Sequence, residues 1–275
     1  MRKARILFVS SEIHPYLEMN EQSKIARFLP QGIQERGKEI RTFMPKFGCI
    51  NERRNQLHEV IRLSGMNLII DDSDHPLIIK VASIQAARMQ VYFIDNEEYF
   101  QRKQTYRDSD EKFFADNDDR SIFFGRGVLE TVKKLGWAPD IIHCHGWMTA
   151  LIPLFIKTSY KDDPMFHNSK VVYSLYNDEF SEPFNADFGK KILMEGLNPA
   201  DVKELKDPNY ASLSRLAMQW SDAVIKGSPT INTDVDAAFA KLSKPTLDYK
   251  SPEEYVEAYD NFYDEAVIGE SVLAD

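Results

Sequence analysis

The stretch "SKVVYSLYND", Ser169–Asp178, is apolar at nearly every strand position. A strand with one wet face alternates polar and apolar residues. One that does not alternate must be covered on both faces, as a parallel strand between layers of helices is. The rest of the chain supplies those helices. "RILFVSSEIHPYLEMNEQSKIARFLPQGIQERG" reads as a strand at Ile6–Val9, a loop, then a helix with Ile25, Phe28, Leu29 and Ile33 on one face. "KEIRTFMPKFG" adds a strand, Glu39–Met44, ended by Pro45 and Gly48. "DDRSIFFGRGVLETVKKLGW" places Phe124, Val128, Val132 and Leu135 at helical spacing, with Asp118 or Asp119 as N-cap and Gly136 as the stop. "PDIIHCHGW" holds a short strand, Asp140–His143, and "MTALIPLFIKTSY" the helix after it. "DPNYASLSRLAMQWSDAVIKGSPT" is a helix, a strand at Ala223–Ile225 and a turn. Strands alternating with helices specify an α/β fold: a doubly wound, mostly parallel, Rossmann-like sheet. Three β-like runs, Asn67–Ile70, Leu77–Ala82 and Met89–Ile94, interrupt the alternation. A polar turn, Asp71–Pro76, joins the first two, so an antiparallel hairpin excursion is expected there. "EYFQRKQTYRDSDEKFFADNDD" has no clear period and reads as a surface loop.

The net charge of −9 is unevenly placed. Pro245–Asp275 holds nine acidic residues and one basic, so the remaining residues are nearly balanced. No basic excess supports nucleic-acid binding. No apolar run approaches the roughly 20 residues of a membrane span, and the N-terminal one is too short for a signal-peptide core. The two cysteines, Cys49 and Cys144, are far apart and in no metal-like spacing. A cytoplasmic protein is the simplest expectation. Two regions are expected: residues 1–232 as the α/β domain, and 233–275 as an acidic, aromatic tail of helical pieces around Pro245 and Pro252. Tyr255, Tyr259, Phe262 and Tyr263 fall at helical spacing in that tail, which suits docking on the body.

Chemistry-bearing residues gather at the carboxyl ends of the strands, where open α/β sheets bind ligands. "IIHCHGW" carries His143, His145 and Trp147, and alternation sets both histidines on one side. Glu12 and His14 end the first strand; Tyr176, Asn177 and Asp178 end another. Rings at Tyr16, Trp147 and Tyr176 with nearby amides and carboxylates suit a sugar, whose C–H faces stack and whose hydroxyls hydrogen-bond. Each residue also has a purely structural reading: His143 in the core, Trp147 as packing, Glu12 as a helix cap. No H-E-x-x-H, G-x-S-x-G, Walker loop or G-x-G-x-x-G is present, and no metal or other cofactor is implied. The loop before the first helix is unusual. A phosphate commonly sits there on free backbone N–H groups, admitted by glycine. This chain offers Glu18-Met19-Asn20-Glu21-Gln22, with two carboxylates and no glycine.

"ILFVSSEIHPY", "LPQGIQERGKEIRTFMPKFG", "VYFIDNEEYF", "FFGRGVLE", "PDIIHCHGWMTALIPLFIK" and "SDAVIKGSPT" together resemble the N-terminal half of bacterial glycogen synthases and plant-type starch synthases. These are ADP-glucose-dependent glucosyltransferases of the GT-B architecture. Order and spacing fit over roughly residues 3–232. "PDIIHCHGWMTALIP" is similar to the family's P-D-[IV]-[IV]-H-x-H-D-W-x-[TA]-[AG]-L-x-P. The resemblance implies retaining transfer of glucose from ADP-glucose to the 4-hydroxyl at the end of an α-1,4-glucan, without a divalent metal. It makes His145 the match to the family's sugar-contacting, catalytic-site histidine. Glu12, His14, Trp147, Tyr176 and Asn177 become substrate-binding candidates. Departures accompany it. The family's K-T-G-G-L loop, whose lysine and glycines meet the phosphates, is replaced by Glu18-Met19-Asn20-Glu21-Gln22. Its H-D-W becomes His145-Gly146-Trp147, and its I-H-N becomes Leu175-Tyr176-Asn177. The second GT-B domain, which supplies most donor contacts in the family, has no counterpart in these residues. Impaired or absent transfer by this half alone is therefore expected. A glucan-binding or regulatory subunit, or half of a split transferase completed by a protein partner, is the alternative.

Overall fold

The apolar runs pair side by side in the computed structural model, which describes residues 2–177, 180–194 and 196–269. In chain order the elements are β1 (Arg5–Ser10), α1 (Glu21–Glu35), β2 (Glu39–Pro45), β3 (His58–Glu59), β4 (Met66–Ile70), β5 (Ser73–Ile84) and β6 (Met89–Asp95). Next come α2 (Glu97–Phe100), α3 (Asn117–Leu135), β7 (Ile141–His145), α4 (Ile152–Lys157), β8 (Lys170–Leu175), α5 (Phe188–Lys191) and α6 (Tyr210–Trp220). The last are β9 (Ala223–Lys226), α7 (Thr233–Phe239), β10 (Thr246–Leu247) and α8 (Tyr255–Phe262), which runs into a π-helical turn at Tyr263–Ile268. The sheet order is β10-β9-β8-β7-β1-β2-β6-β5-β3, with β4 paired to β5. Pairings from β10 through to β6 are parallel; those of β5 with β6, β3 and β4 are antiparallel. The doubly wound sheet and its hairpin excursion are thus present. The winding reverses at β1, which has β2 on one side and β7 on the other.

Alternation along β1 explains both layers. Leu7 and Val9 point into a core shared with Val128 of α3, Leu154 of α4 and Leu216 of α6. Ile6 and Phe8 point the other way, toward Ile25, Leu29 and Ile33 of α1 and toward Tyr255, Tyr259, Phe262 and Tyr263 of the tail. The tail aromatics therefore cover the sheet beside α1. Part of the tail's negative charge is used in holding it there: Lys38 Nζ donates to Asp260 at 2.6 Å and to Asp264 at 2.8 Å.

Several local expectations need revision. β5 starts at Ser73, so the hairpin turn is only Asp71-Asp72. Both have positive φ (47° and 61°), the geometry of a two-residue turn that matches strand twist. β7 extends to His145 because it is paired on both sides along its length. At the start of α3, Asp116 holds the cap position without a side-chain cap. Asp118 and Asp119 instead receive Lys191 Nζ at 3.1 and 3.0 Å. Phe28 does not join the core; it is 38% exposed, with the Arg27 guanidinium 4.9 Å from its ring centre. The tail is not helical pieces alone, since β10 adds a short parallel edge beside β9.

α1 and α8 approach closely at Gly32, where a Cβ would lie 2.4 Å from Val256 Cγ1. Alanine is the better helix former by about 1 kcal/mol. Gly32→Ala is nevertheless expected to lose about 1–3 kcal/mol by overpacking. Most of the loss should return when Val256→Ala is added, as read from urea unfolding of the single and double variants.

Candidate functional site

A helix N-terminus attracts anions because its first N–H groups lack partners and its dipole end is positive. At α1 part of that capacity is already used. The Asn20 side chain accepts from Ser23 N at 2.7 Å, and Ser23 Oγ accepts from Asn20 N at 2.8 Å, a reciprocal capping box. Asn20 Nδ2 donates to the Glu12 carboxylate, and Ser228 Oγ donates to the Glu21 carboxylate. Glu21 lies in the first turn, where a carboxylate meets the positive dipole end internally. Gln22 turns inward. Its Nε2 donates to Ser10 Oγ (3.1 Å), Ser11 Oγ (3.2 Å) and the His145 carbonyl (3.2 Å), tying α1 to β1 and β7. Gly146 follows His145 with φ of 76°. A Cβ there would stand 2.5 Å from Gln22 Oε1, so the two positions fill one space.

Beside this loop, at the carboxyl ends of β1, β7, β8 and β9, lies a cavity of about 320 Å³. That size suits a small-molecule site of about 300–1,000 Å³. Glu12, Asn20, Glu21, Gln22, Trp147, Tyr176 and Asn177 all line it, so most of the residues singled out in the sequence converge. Four further groups line it: Tyr106, Arg107 and Phe113 from the segment read as loop, and Phe180 shortly after the end of β8. Phe113 stacks on Phe180 with centroids 4.6 Å apart, and Trp147 packs edge-on against Tyr106 at 5.2 Å and Phe180 at 5.3 Å. Arg107 pairs bidentately with Glu182, which offsets its charge. Ser228 completes the wall and accepts from Asn177 N at 3.0 Å. The aromatic residues of the 101–114 segment were a usable signal, missed because they follow no helical or strand period. Ser228 sits in the Gly-Ser-Pro turn after β9.

Other candidates lie elsewhere. Glu18 faces a neighbouring depression with Lys103 and Asp108, and Met19 is exposed on the outer side. His14 is half-buried away from the cavity, its Nδ1 without a hydrogen-bond partner. Asp178 lies outside the described residues. His145 is fully buried beneath the cavity wall, its Nδ1 2.7 Å from the Tyr176 hydroxyl and its Nε2 unpartnered. Its ring centre lies 3.9 Å from that of His143, the two rings tilted by 33°. His143 in turn lies between the Tyr263 hydroxyl, 2.6 Å from Nδ1, and Ser174 Oγ, 2.7 Å from Nε2. A neutral imidazole donates through one nitrogen and accepts through the other, and this arrangement serves both. Burial lowers the pKa of His145 to about 3, and burial with the adjacent His145 lowers that of His143 well below the usual value. Among the described residues, no histidine, cysteine or carboxylate cluster could hold a metal ion.

A family model, the starch synthase catalytic domain, matches residues 5–243. The chain belongs to that family. Its relatives include the glycogen synthase of Pelodictyon phaeoclathratiforme, 40% identical over 180 residues, which cover 64% of this chain and 36% of that protein. The glycogen synthase of Chlorobaculum parvum is 32% identical over 247 residues, covering 86% and 49%. The chain thus spans about a third to a half of the length of these curated relatives. Among solved structures, the catalytic domain of starch synthase IV from Arabidopsis thaliana superposes with a TM-score of 0.73 at 18% identity, over 90% of this chain and 51% of that one. The shared fold is that of GT-B glycosyltransferases.

The two buried histidines set a pH dependence. Unfolded, they take up protons as pH falls through about 6.5; folded, they resist until far lower. Stability should therefore fall with pH between about 6.5 and 5, by up to about 1.4 kcal/mol per pH unit for each. Urea unfolding at several pH values should show a shallower slope for His145→Gln than for the wild type.

Proposed function

We propose that the chain acts on α-1,4-glucan in glycogen-synthase-type chemistry, as the glucan-facing half of a glucosyltransferase whose own donor phosphate seat is closed. In the full reaction, glucose would pass from ADP-glucose to the 4-hydroxyl of a glucan end with retention. The observation that carries the reading is the first turn of α1. There, Asn20 caps the helix and Glu12 and Glu21 add negative charge on the cavity wall. Unit charges about 4 Å apart interact by about 4 kcal/mol at an effective dielectric of about 20, so carboxylates at Glu12 and Glu21 would oppose a diphosphate on this wall. The sugar-facing side keeps its chemistry: the rings of Trp147, Tyr176 and Phe180 line the cavity, and Asn177 and Glu12 bring hydrogen-bonding groups to it. His145, neutral and bonded to Tyr176, would act by holding that ring in the wall. The proposed setting is the cytoplasm.

The closed seat beside an intact wall also favours a second reading. In it the chain binds glucan without transfer, as a regulatory subunit or as half of a split enzyme completed by a protein partner carrying a nucleotide site. One paired measurement separates these: transfer of glucose from ADP-glucose to glycogen, and retardation in a glycogen-containing native gel. The first reading expects retardation with weak transfer; retardation with none selects the second. Transfer at full strength would refute a closed donor seat, and absence of retardation would refute glucan binding. Replacing Glu18→Lys, Asn20→Gly and Glu21→Gly together should tighten ADP-glucose binding in calorimetry if the turn is the obstacle. Loss of the asparagine cap to glycine should cost only a few tenths of a kcal/mol in stability.

A further inference from the structure

The opposite end of the sheet, where β1, β2 and β6 begin, carries a depression of about 810 Å³ that none of the chemistry above uses. Four cations reach it: Lys3, Lys38, Arg41 and Arg88. Lys38 is committed to Asp260 and Asp264. Glu39 is the acidic residue of the lining, and its carboxylate accepts from Arg5 Nε at 3.1 Å. The other three cations have no carboxylate partner among the described residues, in a chain whose net charge is −9. Arg41 is held in place: its guanidinium lies over the rings of Trp137 and Tyr92, 5.2 and 5.7 Å from their centres, and Nη1 donates to the Tyr92 hydroxyl at 2.6 Å. Its Nε is buried without a hydrogen-bond partner. Arg88 is exposed at a φ of 51°, a conformation that glycine and asparagine adopt more easily, so the position carries arginine against the backbone's preference.

We propose that this depression binds a small sugar phosphate, with its phosphate among Lys3, Arg41 and Arg88. The inference is independent of the glucan reading, since the two sites share no residue. A guanidinium presents a planar fork of donors that matches phosphate oxygens, and Arg41 is oriented before any ligand arrives. A phosphate monoester brings close to two negative charges, which offset the repulsion among three unpaired cations better than one carboxylate does. The rest of the lining serves hydroxyl groups: Ser83, Gln34, Gln85 and Gln90 bring a hydroxyl and amides, and Gln34 Oε1 is buried without a partner. The rings weigh against a nucleotide. Tyr92 carries Arg41 and stacks on Phe43 at 4.9 Å, and Trp137 carries Arg41 and meets Arg5 at 5.9 Å, so both rings are already engaged where a base would need to stack. The volume lies within the range of small-molecule sites.

The test is calorimetry on the whole chain with three probes: ribose 5-phosphate, adenosine monophosphate and inorganic phosphate. The wild type should bind ribose 5-phosphate more tightly than either of the others, and less tightly as ionic strength rises. Arg41→Gln should weaken that binding about 10-fold or more, the effect of losing one charge-assisted hydrogen bond. Lys3→Gln with Arg88→Gln changes two exposed side chains, so it guards against a packing defect at Arg41, and it should weaken binding as well. Lys112→Gln with Lys161→Gln makes the same charge change at exposed positions elsewhere and should leave binding unchanged. No binding of ribose 5-phosphate, binding unaltered in both site variants, or an equal loss in the Lys112 and Lys161 pair would overturn the site. Inorganic phosphate binding as tightly as ribose 5-phosphate would overturn the sugar part of the proposal. Tighter binding of adenosine monophosphate, lost in the same variants, would overturn it in favour of a nucleotide.

Discussion

Both faces of β1, β7 and β8 must be kept dry. Ile6 and Phe8 look one way and Leu7 and Val9 the other, and each pair is fully or almost fully buried. Helices α3, α4 and α6 close one side. α1 does not close the other alone; Tyr255, Tyr259 and Tyr263 lie over the part of the sheet that includes Ile141, Val172 and Ile225. At about 25 cal/mol per Å² of apolar surface, such a layer contributes strongly to stability. Lys38 between Asp260 and Asp264 then fixes the lateral position of the cover.

The buried polar ladder across this layer follows from the same constraint. Histidines on two successive inward positions of β7 would be costly in an apolar layer without partners. Tyr263 and Ser174 serve His143, and Tyr176 serves His145. The ladder links the tail to the cavity wall: Tyr263 meets His143, His143 lies against His145, and His145 holds the Tyr176 hydroxyl. His145 thus sits one layer below the surface, behind Tyr176.

How much was legible from residues alone depended on whether a feature had a period. The buried strands, α3 with its Gly136 stop and the hairpin excursion all did, and their placement follows from pattern. The tail aromatics were visible by the same spacing. The convergence of Glu12, Trp147, Tyr176 and Asn177 was legible because strand ends in a parallel sheet gather on one edge. Tyr106, Arg107 and Phe113 were not, since an aperiodic loop gives no direction to its side chains. Nor was the depth of His145: alternation states which side a residue faces, not what tyrosine from the next strand lies across it. Phe28 shows the converse, a residue on the apolar face by spacing that lies at the margin of the buried stripe, shared with Arg27.

The fit between Gln22 and Gly146 makes the two positions interdependent. A side chain at 146 meets the Gln22 amide, and a side chain at 22 without an amide gives up the bonds to Ser10, Ser11 and the His145 carbonyl. Two residues far apart in the chain thus behave as one unit, and the cost of changing either depends on what stands at the other.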